Sequence, residues 1–239
     1  MWKLGRAVPQ AIAGLFTILF VFPRISGPAR NARVQAWALE MLARVDIKVE
    51  LHGQPPDRGP LLLVANHISW LDILVIHAAR HCRFVAKADV RHWPLIGTLA
   101  TGAGTLYIER ESRRDAMRVV HHMAESLKAG DILAVFPEGT TSDGRVLLPF
   151  HGNLIQAAIS ARAPVQPVAL AFIDTATREA SFTPCYIGDD TLVGSIWRTL
   201  SGPPITAVLR YGEPQQANGR SRREWAADLR AAAQALRDA

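Results

Sequence analysis

The 239-residue chain has two cysteines, Cys82 and Cys185, far apart and without Cys-x-x-Cys spacing. This argues against a disulfide framework or a cysteine zinc site and fits a reducing compartment. No Gly-x-Ser-x-Gly stretch is present, and neither cysteine has motif company, so no activated nucleophile on the protein stands out. Nucleic-acid motifs are missing too. The surplus of 27 Lys and Arg over 21 Asp and Glu is scattered, a pattern read here as attraction to lipid headgroups and not to nucleic acid. No internal repeat or linker breaks the chain, and an apolar share of 49% is ample for a core. Length fits one large domain, or one domain with an appendage.

A long apolar run is lacking as well. Ala11–Phe22 is apolar for 12 residues between Pro9 and Pro23. As a helix it would be about 18 Å long, against a hydrocarbon core of about 30 Å. It spans only if Trp2–Gln10 extends it. A basic start and a short apolar core also fit a secretory signal, but no convincing small-x-small cleavage site follows. In Ala32–Val45, Val34, Trp37, Ala38, Met41, Leu42 and Val45 recur on one helical face. Two such helices can lie in a membrane interface, with basic residues at the headgroups, or simply pack onto the core. The division expected is 1–46, membrane-associating helices, and 47–239, an α/β domain.

The informative stretch is Leu61-Leu62-Leu63-Val64-Ala65-Asn66-His67-Ile68-Ser69-Trp70-Leu71-Asp72. A short apolar run bounded by polar residues suits a buried strand, although periodicity alone also admits a buried helix segment. As a strand it ends at His67, at the sheet edge where open α/β folds place their chemistry. Asp72, in the following helix, then reaches back to the imidazole across the turn. Histidine titrates near neutrality and accepts a proton from a hydroxyl at physiological pH. A carboxylate on its other nitrogen fixes the tautomer and stabilises the imidazolium. The base would therefore activate a hydroxyl on the substrate. Taken alone, the pair also fits a capped turn with a structural histidine.

Ile132-Leu133-Ala134-Val135-Phe136-Pro137-Glu138-Gly139-Thr140-Thr141-Ser142 reads as a second buried strand that breaks at proline into a Gly-containing turn. With Asn66–Asp72, this resembles the 1-acylglycerol-3-phosphate acyltransferase family of phospholipid/glycerol acyltransferases. Gly104-Thr105-Leu106-Tyr107-Ile108-Glu109-Arg110 resembles that family's block ending in a phosphate-binding arginine. Ala163-Pro164-Val165-Gln166-Pro167-Val168-Ala169-Leu170 resembles its last, proline-bearing strand. The resemblance covers roughly Val49 to Pro214.

The resemblance implies acyl transfer from a thioester, acyl-CoA or acyl carrier protein, to the hydroxyl of a lysolipid such as 1-acylglycerol-3-phosphate. It gives His67 as base, Asp72 as its orienter, and Arg110, Glu138, Gly139 and Thr140 as acceptor-binding residues. No cofactor and no metal are implied. The partners are a lysolipid, a thioester donor and a membrane surface, placed at the cytoplasmic face of an inner membrane. One position departs: many relatives carry arginine after Glu-Gly-Thr, and here Thr141 stands there. That keeps a lyso-aminolipid such as lyso-ornithine lipid in view as acceptor. A non-catalytic lipid-binding protein and a metal-dependent hydrolase are the readings from other classes.

The rest reads as strands alternating with helices, hence a mixed, mainly parallel sheet flanked by helices, with an N-terminal helical membrane-binding segment. Ile47–Leu51, Arg83–Ala86, Thr105–Ile108, Val165–Phe172 and Ile205–Tyr211 are predicted strands. Ser112-Arg113-Arg114-Asp115 and Ser221-Arg222-Arg223-Glu224 are predicted helix caps. His77 and His81 have metal-ligand spacing but no third ligand nearby, and read as helix-surface residues. Lys87 reads as a solvated lysine near the sheet edge, His92–Gly97 as the border of an acyl groove or plain core, and His151 as a loop histidine.

Overall fold

The computed structural model describes residues 2–108 and 113–239. Among these residues seven strands form one sheet: β1 (Ile47–His52), β2 (Leu61–Ala65), β3 (Arg83–Lys87), β4 (Leu106–Ile108), β5 (Ile132–Val135), β6 (Val165–Asp174) and β7 (Ile205–Tyr211). Their spatial order is β1-β7-β6-β2-β5-β3-β4, parallel throughout except for the antiparallel β6–β7 pair. The α/β, mainly parallel sheet expected from the sequence is the one observed.

Among the described residues eight α-helices surround it: α1 (Trp2–Phe16), α2 (Gly27–Arg44), α3 (Leu71–Ala79), α4 (Ile96–Gly102), α5 (Arg113–Lys128), α6 (Ile155–Ala161), α7 (Leu192–Ser201) and α8 (Arg222–Asp238). The period-2 alternation of β2 divides the core. Leu61, Leu63 and Ala65 join Ala38 and Leu42 of α2, Val75 and Ile76 of α3 and Leu200 of α7. Leu62 and Val64 face the other way, onto Met123 and Leu127 of α5, Ala157 and Ala158 of α6, and Trp225 and Leu229 of α8. All five β2 residues are buried, each leucine stabilising the fold by about 1.5–3 kcal/mol. This is why β2 reads as a continuous apolar run and not as an alternating one.

Helix ends follow local chemistry. Ser221 and Glu224 form the reciprocal capping box that starts α8, as expected, and the Thr191 hydroxyl accepts the Gly194 N–H at the start of α7. The box anticipated at Ser112 falls outside the described residues. Of the two apolar segments near the N-terminus, α2 turns Val34, Ala38, Met41 and Leu42 inward. α1 runs on through a π-turn, Thr17–Val21, and a 3-10 turn, Phe22–Arg24. The flanking Trp2–Gln10 does extend the apolar stretch: the continuous helix Trp2–Arg24 is 23 residues long and contains an 18-residue window of mean hydropathy 1.6. At 1.5 Å per residue that is about 35 Å, so length and composition make it a candidate membrane span.

Candidate active site

β2 sits at the topological switch point, with β5 and β3 on one side and β6 on the other. In open α/β sheets a crevice forms there, at the carboxyl ends of the strands. Asn66 leaves β2 with its amide tied to β6: Nδ2 donates to Leu170 O at 2.9 Å, and Oδ1 accepts the Leu170 N–H at 2.8 Å. The chain then turns, and His67 follows two residues after Ala65 on the same side of the sheet.

Asp72 organises that turn. Its Oδ2 lies 2.8 Å from His67 Nδ1 and also accepts the N–H groups of Ile68, at 2.7 Å, and Ser69, at 2.9 Å. The carboxylate is 0% exposed, whereas the imidazole is 20% exposed. Asp72 lies in the first turn of α3, where the helix dipole favours a negative charge. An ionised carboxylate only accepts hydrogen bonds, so Nδ1 carries the proton and Nε2 keeps a free lone pair. The two residues separated by five in sequence thus meet across the strand-to-helix turn, as the sequence predicts. The pair can accept a proton at Nε2 while Asp72 offsets the charge.

The second motif lies alongside. Phe136-Pro137-Glu138-Gly139 forms a turn closed by the Gly139 N–H donating to Phe136 O at 3.1 Å. Proline at its second position and glycine at its fourth suit a type I turn, and Gly139 has φ +75°. Glu138, 3% exposed, accepts the His67 backbone N–H at 3.4 Å. Burial pushes its carboxyl up to about 7, against the opposing pull of the His67 and Leu148 backbone N–H groups. The Ser142 N–H donates to His67 O at 2.9 Å and locks the two motifs together.

Thr140 and Thr141 continue along the site wall. The Thr141 hydroxyl donates to Tyr186 O. Arg145, a candidate replacement for the missing cation at 141, is occupied elsewhere: it pairs with Asp143 and lies 4.5 Å over the Phe182 ring. His151 packs against Gly139, its Cδ2 3.5 Å from where a Cβ there would sit. Lys87 borders the site and pairs with Asp89. Arg110 falls outside the described residues.

From His67 an apolar cavity of about 820 Å³ extends between the sheet edge and the N-terminal helices. Leu71, Leu74, Phe84 and Phe136 line it, together with Trp37, Trp93, Ile96 and Leu99. The His92–Gly97 stretch therefore borders a groove, partly as the start of α4. Its volume is in the range of small-molecule sites.

Sequence reasoning misplaced two histidines and missed two contributors. His77 is not on the helix surface; it is 4% exposed, and burial foremost, with His81 beside it, lowers it to about 3. His81 lies beyond the end of α3 and stacks ring to ring with His77 at 5.4 Å. Tyr186 was missed because its segment has no periodic pattern; its N–H holds Ile68 O at 3.0 Å. Phe136, read only as the end of a strand, stacks on the His67 ring at 3.9 Å.

Comparison with known proteins gives this geometry its relatives. The chain is 39% identical over 210 residues to a lyso-ornithine lipid O-acyltransferase of Pseudomonas aeruginosa, covering 88% of this chain and 79% of that one. It is also 39% identical over 185 residues to a 1-acyl-sn-glycerol-3-phosphate acyltransferase of Neisseria gonorrhoeae, covering 77% and 71%. Its fold matches the crystal structure of a 1-acyl-sn-glycerophosphate acyltransferase from Thermotoga maritima with a TM-score of 0.71 at 20% identity, covering 100% and 97% of the two chains. The profile of the Acyltransferase family matches residues 46–171, which include His67, Asp72 and Glu138, and the chain belongs to that family.

Proposed function

We propose that the protein transfers a fatty acyl group from an acyl thioester to the hydroxyl of 1-acyl-glycerol-3-phosphate, giving phosphatidic acid. The observation that carries the reading is the His67–Asp72 pair, with His67 lining an acyl-sized apolar cavity. His67 Nε2 takes the proton of the acceptor hydroxyl as its oxygen attacks the thioester carbonyl. The tetrahedral intermediate collapses with cleavage of the C–S bond, and the imidazolium returns the proton to the departing thiolate. Asp72 holds the tautomer and offsets the charge throughout. Glu138, Gly139 and Thr140 border the acceptor, whose phosphate is assigned to Arg110, and backbone N–H groups around Gly139 supplement that cation. The donor is acyl-CoA or acyl carrier protein.

One observation favours a second acceptor. The Thr141 hydroxyl is committed to Tyr186 O, and Arg145 is engaged by Asp143 and Phe182. A site with one cation fewer suits a lyso-aminolipid such as lyso-ornithine lipid, whose headgroup is not a phosphate.

The proposed location of the reaction is the cytoplasmic face of the inner membrane. Val8, Ile12, Phe16, Leu19 and Phe20 make an exposed apolar stripe along the N-terminal helix, and Val193 and Trp197 of α7 are exposed as well. α1 packs beside α7, with Lys3 donating to Gly202 O at 3.2 Å. Such a surface matches the acyl region of a bilayer, with Arg24, Arg30 and Arg33 at headgroup depth.

The test is transfer from labelled long-chain acyl-CoA, and in parallel acyl carrier protein, to lysophosphatidic acid and to lyso-ornithine lipid. His67→Ala serves as control. Product from lysophosphatidic acid supports the first reading, and product only from lyso-ornithine lipid supports the second. No product from either acceptor with either donor overturns both.

A further inference from the structure

The His67 imidazole lies flat on the Phe136 ring, with centroids 3.9 Å apart and planes 6° from parallel. Behind Phe136, Phe84 stacks at 5.7 Å and 22°, and the His77 ring meets Phe84 edge-on at 5.0 Å. The row follows the sheet. Ala134 pairs with both Leu63 of β2 and Phe84 of β3. His67 and Phe136 each project two residues beyond a core position, Ala65 and Ala134, on the same face. Adjacent strands about 4.8 Å apart thus deliver their side chains as neighbours in one stack.

We infer that Phe136 is a positioning residue for the His67 base, holding the imidazole face-on and stabilising its cationic form; this rests on the acyl-transfer reading. The Asp72 hydrogen bond fixes one edge of the ring but leaves it free to rock about that bond. Contact over a whole face removes this freedom and keeps Nε2 aimed at the cavity. When His67 takes the acceptor proton, the imidazolium sits over an aromatic face, whose quadrupole attracts a cation, the more so where water is excluded. Among the described residues, the acidic groups that hydrogen-bond His67 are Asp72, at Nδ1, and Glu138, at the backbone N–H. Neither covers the ring face.

The test compares the full-length chain, solubilised in detergent, with Phe136→Leu, which keeps apolar bulk at the cavity wall, and Phe136→Tyr, which keeps the ring. Two readouts are taken: kcat and KM for the acceptor, and the position of the His67 ring-proton resonance, identified by its loss in His67→Ala. The leucine variant is expected to lower kcat about 10- to 30-fold, with acceptor KM changed less than about twofold. The tyrosine variant retains kcat. The resonance lies upfield in the wild type and the tyrosine variant, from the ring current, and moves downfield in the leucine variant. Unchanged kcat in Phe136→Leu, a loss carried by KM, or a resonance that does not move each overturns the assignment. A wild-type chain inactive on both acceptors overturns the acyl-transfer reading and with it the catalytic use of the stack. The ring shift then still decides whether the stack exists.

Discussion

Glu138 Oε1 accepts the backbone N–H of His67 at 3.4 Å, joining two motifs 71 residues apart. The contact belongs to a buried carboxyl whose titration is pushed up from 4.5 to about 7, foremost by desolvation. A group that binds its proton more tightly when folded stabilises the fold fully below its unfolded value, and that contribution is lost as pH rises through the folded one. The Glu138 contribution is therefore present below about pH 4.5 and gone above about pH 7. Glu138→Gln keeps the shape without the titration. Denaturant unfolding from pH 4 to 8 is expected to show the wild type losing stability relative to the variant as pH rises. A pH-independent difference contradicts the assignment.

Asp72 serves the imidazole and the turn through the same oxygen. Asp72→Asn places an amide among three donors, and either orientation of that amide weakens at least part of the set. Activity is expected to fall about 10²–10⁴-fold, the scale of a lost or mis-tautomerised general base. Stability is expected to fall by about 1–3 kcal/mol, as for a buried hydrogen-bonding group left short of partners. Melting temperature and kcat measured on the same preparation separate the two. Loss of stability with full activity shows that the acid holds the turn alone.

The sequence makes the strands and the His67–Asp72 pair legible because both depend on local pattern. Ile205–Tyr211 is a strand with the predicted ends, and the five-residue step from His67 to Asp72 becomes the pair once a strand-to-helix turn is assumed. What stays hidden depends on neighbours across the sheet. The stack of Phe136 on His67 follows from the β2–β5 register, which no local pattern specifies. His77 shows how a period misleads. The four-residue step to His81 is metal-ligand spacing, and without a third ligand both histidines read as helix-surface residues, yet α3 reads Leu-Asp-Ile-Leu-Val-Ile-His-Ala-Ala and is packed between α2 and the sheet. Its nearly unbroken apolar composition was the signal that the whole helix is interior.

Gly14 marks where the cavity is bounded by α1. A Cβ there would lie 2.7 Å from Trp37 Nε1 and 3.1 Å from Leu99 Cδ2, and Trp37 Nε1 is already donating to Gln10 O at 2.8 Å. Gly14→Val must displace the indole or narrow the cavity. Overpacking of this kind costs about 1–3 kcal/mol, read as a lower melting temperature in detergent. Across an acyl-CoA series the variant is expected to favour shorter chains than the wild type. An unchanged chain-length profile would separate this wall from the acyl site.

Thr141 provides the sharpest test of the acceptor. Its hydroxyl donates to Tyr186 O, and Tyr186 N–H in turn holds Ile68 O, next to His67. Thr141→Arg removes the first bond and adds a planar, permanently charged donor fork beside the Glu138–Thr140 turn. A charge-assisted hydrogen bond contributes about 1.5–3 kcal/mol. The ratio of kcat/KM for lysophosphatidic acid over lyso-ornithine lipid is therefore expected to rise by about 10- to 100-fold. A conservative control, Thr141→Val, removes the hydroxyl without adding charge and separates the loss of the Tyr186 tether from the gain of the cation. If the arginine and valine variants shift the ratio equally, position 141 acts through the tether, and the headgroup is read by residues elsewhere in the site.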